Sequence, residues 1–142
     1  MRRMTWVIGG ACLLLSGIAA AQIAKTKSVE GARVYIVSPK NGDTVSAKFT
    51  VQFGLKGMGV APAGVNHPNS GHHHLLVDLK QMPNLNLPLP VSDNVRHFGN
   101  GQTEVDLVLP TGTHTLQLLL ADYIHVAHDK PLLSEKITIT VK

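Results

Sequence analysis

Apolar and polar residues alternate one for one along most of the chain, the period of a half-buried strand. Arg33-Val34-Tyr35-Ile36-Val37 is rich in β-formers and stops at Ser38-Pro39. Lys40-Asn41-Gly42-Asp43 is a turn cluster. From Val45 onward, Val45, Ala47, Phe49, Val51, Phe53 and Leu55 share one face, with Ser46, Lys48, Thr50 and Gln52 on the other. Residues 56–71, rich in Gly, Pro and Asn, read as a long loop, and residues 72–78 as the next strand. Residues 81–101 are irregular around Pro83, Pro88 and Pro90, with room for one short edge strand. Thr103, Val105, Leu107 and Leu109 alternate with Glu104 and Asp106. After Pro110-Thr111-Gly112-Thr113, His114, Leu116, Leu118 and Leu120 share a face. Residues 122–133 read as a loop, and Ile137, Ile139 and Val141 mark the last strand.

No stretch of ten residues sustains the 3.6 period of a helix. Six or seven short strands separated by turns predict an all-β fold, an immunoglobulin-like antiparallel β-sandwich of about seven strands. The sandwich occupies residues 33–142, after a polar, flexible lead-in at 22–32.

Ahead of the lead-in stands a different kind of segment. Arg2 and Arg3 are followed by an apolar run over residues 6–18 and by Ala19-Ala20-Ala21. This is the three-part layout of a secretory signal peptide, so residues 1–21 are expected to be removed and the mature chain to be periplasmic. The run is short of the roughly 20 residues of a membrane span, and no span is expected in the mature protein. Cys12 lies inside the run without a Leu-led lipobox and is expected to leave with it.

With 142 residues, 44% of them hydrophobic, the chain has room for one domain with a core. It is too short for a TIM barrel or a two-half dinucleotide-binding fold. A net charge of +4 is too small for a nucleic-acid binder. One Cys excludes an internal disulfide, a four-thiolate zinc site and, once removed, a blue-copper centre.

The unusual residue is histidine, with 8 copies, all after position 66. In a sandwich, the loops before the third strand, before the fifth and after the sixth lie at one end. His67 and His72-His73-His74 belong to the first, His97 to the second, and Asp122, His125, His128 and Asp129 to the third. Seven histidines therefore converge on one pole, and His114 falls at the other. Neutral imidazole is the commonest metal ligand, and clustered imidazoles repel once protonated. The expected ligands are His72, His74, His97, His125 and His128 with Asp122, and the expected ion is copper or zinc. Strand alternation turns His73 away from His72 and His74. His67, beside Pro68, is expected to face solvent. His114 stands where sandwiches place a corner Tyr that bonds nearby backbone.

Enzyme motifs are absent: there is no G-x-S-x-G, no phosphate loop and no H-E-x-x-H. The sequence thus points to a binding protein and not to an enzyme, with a metal ion as ligand and another periplasmic protein as a candidate partner. Two alternatives stand beside it. One is a ligand- or partner-binding module whose histidines only fasten loops. The other is a metal-dependent hydrolase with an open coordination position.

Five stretches together carry a family likeness: Asn69-Ser70-Gly71-His72-His73-His74-Leu75-Leu76-Val77-Asp78, His97-Phe98-Gly99-Asn100-Gly101-Gln102-Thr103-Glu104, residues 109–118 from Leu109-Pro110-Thr111-Gly112, His125-Val126-Ala127-His128-Asp129-Lys130-Pro131, and Ser134-Glu135-Lys136-Ile137-Thr138. They resemble the small exported bacterial family catalogued as domain of unknown function 4399. The resemblance implies a periplasmic single-domain β protein and implies no activity.

Overall fold

The computed structural model describes residues 22–142. Residues 1–21, expected to be an export signal, and Cys12 among them lie outside the described residues. Among those described there are ten strands: β1 (Arg33–Ser38), β2 (Thr44–Val45), β3 (Lys48–Lys56), β4 (Gly59–Val60), β5 (Ser70–Val77), β6 (Val95–His97), β7 (Glu104–Val108), β8 (Gly112–Ala121), β9 (Ala127–Leu133) and β10 (Ile137–Val141). No helix among the described residues is long and apolar enough to cross a membrane.

The strands form two layers. One is a three-stranded sheet in the order β1-β3-β7. The other runs β2-β10-β8-β5-β4, with β6 also on β5 and β9 also on β8. Ladders are antiparallel except for two short ones, β2 on β10 and β4 on β5. Without the short β2 and β4 and the added β9, the order β1-β3-β7 over β10-β8-β5-β6 is that of an immunoglobulin-like sandwich.

The period-two pattern decides what lies between the layers. Val51, Phe53 and Leu107 from the small sheet meet Leu75, Val77, Leu116, Leu118, Leu120, Ile139 and Val141 from the large one. The opposite faces of β3 and β7 carry polar cross-strand pairs, such as Thr50 Oγ1 donating to Asp106 Oδ1 at 2.7 Å. The large sheet is also covered on its outer side. There Leu76, Leu119, Ala121 and Ala127 pack under Leu89 and Val95, with Leu79 and Leu85 alongside. The irregular segment between β5 and β6 is therefore a roof over the sheet.

Three local expectations are corrected. The strand beginning at Val45 is interrupted: β2 adds to β10 through Val45↔Val141, and β3 then pairs with β1 and β7. The chain changes layers at Ser46-Ala47 without losing its alternation. Residues 127–133, read as loop, form β9. Its pairing with β8 jumps from Leu120↔Leu132 to Ala121↔Ala127, so His128 to Pro131 bulge off the ladder. A Pro in a strand is tolerated at such a bulge, and this one masked the strand in the sequence. The lead-in is not free either. Asp129 N–H donates to the Thr26 carbonyl at 2.9 Å, and Ser28 N–H donates to Asp129 Oδ1 at 2.9 Å. Those partners are about 100 residues away in sequence, beyond the reach of local patterning.

His114 fastens the sandwich near the start of β8. Its Nδ1–H donates to Asp78 Oδ2 at 2.7 Å and its Nε2–H to the Pro110 carbonyl at 2.8 Å. Both partners are acceptors, so the surroundings favour the doubly protonated ring. The Asp78 carboxylate accordingly raises the His114 pKa above its ordinary 6.5. A raised pKa contributes stability in full below 6.5 and loses it as pH rises through the raised value. His114→Ala is expected to lower unfolding free energy by about 1.5–3 kcal/mol, the range for losing a hydrogen bond to a charged group. Urea melts at pH 6 and pH 9 check this, with the smaller difference at pH 9.

Candidate metal centre

β5 sets the geometry of the histidines. Its Leu75 and Val77 face the core between the layers, and Leu76 faces the roof. By the same alternation His72 and His74 project under the roof, and His73 projects into the core. The His73 ring lies 5.2 Å from Phe53, centroid to centroid, and Phe53 lies 5.0 Å from Phe98.

The third imidazole comes from β6. His97 is the direct register partner of His74 across the β5–β6 ladder, so both point to the same side. Centroid separations are 4.8 Å for His72–His74, 5.0 Å for His72–His97 and 5.1 Å for His74–His97. One nitrogen from each ring lies within 4.8 Å of the others. Nitrogens sharing one ion at roughly 2.0–2.1 Å are about 3–4 Å apart, so a small rotation of the rings closes the set.

The fourth imidazole arrives on a turn. β8 ends at Ala121, which pairs with His72. The chain then reverses: Asp122 N–H donates to the Val126 carbonyl and His125 N–H to the Asp122 carbonyl, both at 2.9 Å. His125 has φ of +68°, in the left-handed region. A side chain held there costs of order 1–3 kcal/mol and is often found at functional sites. Its ring stands 4.7 Å from His97, 5.0 Å from His72 and 6.1 Å from His74. The roof is tied to this turn through Leu89 N–H, which donates to the His125 carbonyl at 2.9 Å.

Burial favours the neutral form of His72, His73, His74 and His97. His72, His73 and His74 are all 0% exposed. Desolvation lowers the His72 pKa to about 4, aided by repulsion from His125 and His97 and partly offset by Asp122. His74 falls to about 3, again through desolvation first and then repulsion from His72, His97 and His125. His73 falls to about 4 through desolvation alone. His97 is lowered by desolvation and by His125. At neutral pH His72, His74 and His97 therefore offer lone pairs. Both nitrogens of His72 and His74, and Nε2 of His97, are buried without a hydrogen-bond partner among the described residues, as are both nitrogens of His73 and Nδ1 of His128 outside the cluster. Each such group costs about 1–3 kcal/mol.

Four of the seven histidines expected at one pole come together, and they do so under a roof on a sheet face. His73 is separated from them by the sheet itself. His67 is exposed, and its Nδ1–H donates to the Pro68 carbonyl at 2.9 Å. His128 is buried with Nε2 3.3 Å from the Ser70 carbonyl. It packs against Gly71, which faces the core side, so it does not join the cluster. His67 and His128 line a cavity of about 230 Å³ that none of His72, His74, His97 and His125 borders. Asp122, expected as a ligand, has both oxygens engaged: Oδ1 accepts from Ile124 N–H and Val126 N–H, and Oδ2 from Thr26 Oγ1. A residue the sequence reading missed is Gly99. A Cβ there would overlap His97 Cε1 and stand 2.6 Å from its Nε2, so the ring rests on the glycine. The two-residue spacing from His97 was the available signal.

The family model described as "Domain of unknown function (DUF4399)" matches residues 51–142, which include all four rings. No curated protein matches the chain. An endo-beta-1,4-mannanase from Thermotoga petrophila is similar at 17% identity and a TM-score of 0.47, over 82% of this chain and 21% of that one. The fibronectin(III)-like modules of Clostridium thermocellum CbhA are similar at 17% identity and a TM-score of 0.42, over 77% of this chain and 95% of theirs. The chain thus spans about a fifth of the mannanase it matches.

The depressed pKa values fix how stability responds to acid. The unfolded chain takes up protons near 6.5, while folded His72, His73 and His74 resist until about 4, 4 and 3. Their contribution is complete above 6.5 and is lost as pH falls through that window. Each group adds a slope of up to about 1.4 kcal/mol per pH unit. Urea melts in chelator between pH 7 and pH 4 are expected to show a steep fall in stability below 6.

Proposed function

Because the chain belongs to the family described as a domain of unknown function (DUF4399), which assigns no activity, we propose its function from the site itself: it binds a divalent transition-metal ion, copper or zinc, through His72, His74 and His97, with His125 as a fourth ligand. The observation that carries this reading is the meeting of several buried, neutral, unpartnered imidazoles at one point. A cation satisfies lone pairs that no protein donor reaches. Nitrogen-only ligands suit copper and zinc, and the general affinity order among divalent ions favours copper. Hard ions such as calcium and magnesium take oxygen ligands instead. The role proposed is binding, buffering or delivery in the periplasm, with residues 1–21 as the export signal, and not catalysis.

A fastening network is the rival reading, and His114 shows what one looks like. Both of its nitrogens are matched to acceptors. The rings of His72 and His74 have no carboxylate or carbonyl matched to each nitrogen in this way. That contrast favours a ligand over a fastening role for the cluster.

Metal titration of residues 22–142 tests the proposal. Uptake of Cu²⁺ or Zn²⁺ tighter than about 1 µM, or −8 kcal/mol, is expected, and its absence would sink the reading. His72→Ala with His74→Ala is expected to abolish uptake, and His114→Ala to leave it intact. Gly99→Ala adds a sharper check. It displaces the His97 ring without removing a ligand, and is expected to weaken affinity about 10- to 100-fold in calorimetry, as loss of a ligand's support commonly does.

A further inference from the structure

We propose that Asp122 is the positioning residue of this site and not one of its ligands, and that the N-terminal segment acts through it: the carboxylate folds the turn that presents His125, and Thr26 clasps the carboxylate. The proposal rests on the metal-binding reading and deepens it, because it says which ligand is held separately from the others.

Asp122 is 1% exposed. Its Oδ1 accepts from Ile124 N–H at 3.1 Å and from Val126 N–H at 3.0 Å, spanning the turn on both sides of His125. Those bonds, with the two backbone bonds that close the turn, hold His125 at φ +68°. Residues seldom adopt that conformation unless the surroundings over-determine it. Without the carboxylate, nothing on the side-chain side matches the two N–H groups, and the turn can relax to an ordinary conformation that swings the ring away.

The second oxygen links the turn to the start of the described chain. Thr26 Oγ1 donates to Asp122 Oδ2 at 3.0 Å. Thr26 is itself held by Asp129 N–H on β9, and Ser28 N–H by the Asp129 carboxylate. The segment ahead of β1 therefore crosses β9 and ends its hold on the carboxylate beneath the fourth imidazole. His72, His74 and His97 are placed by two strand ladders and need none of this. The site divides into three ladder-fixed ligands and one turn-fixed ligand, whose retention depends on residues that never touch the ion.

The test is Cu²⁺ binding to residues 22–142, read by affinity and by the number of imidazole nitrogens in the electron paramagnetic resonance spectrum. Asp122→Ala is expected to weaken binding about 10- to 100-fold and to give the spectrum of His125→Ala. In a His125→Ala background, Asp122→Ala and Thr26→Ala are expected to change affinity no further. Asp122→Asn keeps the Oδ1 acceptor and is expected to stay nearer to wild type than Asp122→Ala. Thr26→Ala, at the edge of the network, gives the milder version should Asp122→Ala fold poorly. The proposal is overturned if Asp122→Ala weakens binding equally in the His125→Ala background, or if it keeps the full set of nitrogens in the spectrum. Failure of the metal reading is distinct: wild type then takes up neither Cu²⁺ nor Zn²⁺, and both proposals fall together.

Discussion

Burial of β5 on both faces is the constraint from which the rest of the structure follows. A strand covered on both sides normally reads as a continuous apolar run, since neither face offers water to a polar group. Leu75, Leu76 and Val77 obey that rule, and the three positions before them hold His72, His73 and His74 with no exposure at all. The strand tolerates them because its backbone is matched along β8 from His72 to Val77 and along β6 from His74 to Leu76. Ladder bonds fix the strand, and alternation then fixes where each ring goes. The same burial strips the rings of charge, which converts a run of bases into a set of lone pairs.

Much of this was legible in the sequence because period two carries two facts at once. Alternation from Val45 to Leu55 and from His114 to Leu120 gave the strands and their inward faces, and it separated His73 from its neighbours. Topology then brought His97 and His125 to His72 and His74 from distant stretches. What stayed hidden depended on partners remote in sequence. The roof from Leu79 to Leu89 lacks alternation because its residues pack singly onto a sheet face. β9 was masked by Pro131 in a bulge. Asp122 was expected as a ligand by residue type, and the hydrogen bonds that its carboxylate accepts from the turn were not legible in the sequence. His128 lay near His125 in sequence, yet the bulge of β9 carries it to the Gly71 side of the sheet.

The chain holds the same side chain in two opposite states, and the difference lies in acceptors. His114 meets a carboxylate and a carbonyl, which favour its cationic form. His72 and His74 meet apolar side chains and one another and are kept neutral. The two arrangements stand at opposite ends of β8, since His114 is near its start and Ala121, partner of His72, is its last residue. One end is therefore a fastener that works when protonated, and the other a cluster that works only when it is not. Lowering pH strengthens the first and undoes the second, so acid acts on this fold through the cluster.

That asymmetry bears on why so costly an arrangement persists in a domain with no cysteine beyond position 12 to crosslink it. Small domains hold only about 5–15 kcal/mol of net stability, and several orphaned nitrogens at about 1–3 kcal/mol each consume a large part of it. An ion at a thousandfold excess over its dissociation constant would return about 4 kcal/mol by mass action alone. Under the proposed function, then, folding and binding are one equilibrium: the strand pays its desolvation in the free protein and recovers it when the lone pairs find a cation. A cluster kept only for packing would gain from replacement by Leu at His72 or His74, since apolar residues of similar volume carry no unpartnered nitrogen. The preference between the two accounts therefore turns on sign, because removing a ring raises the stability of the free protein in either case and lowers that of the metal-loaded protein in only one.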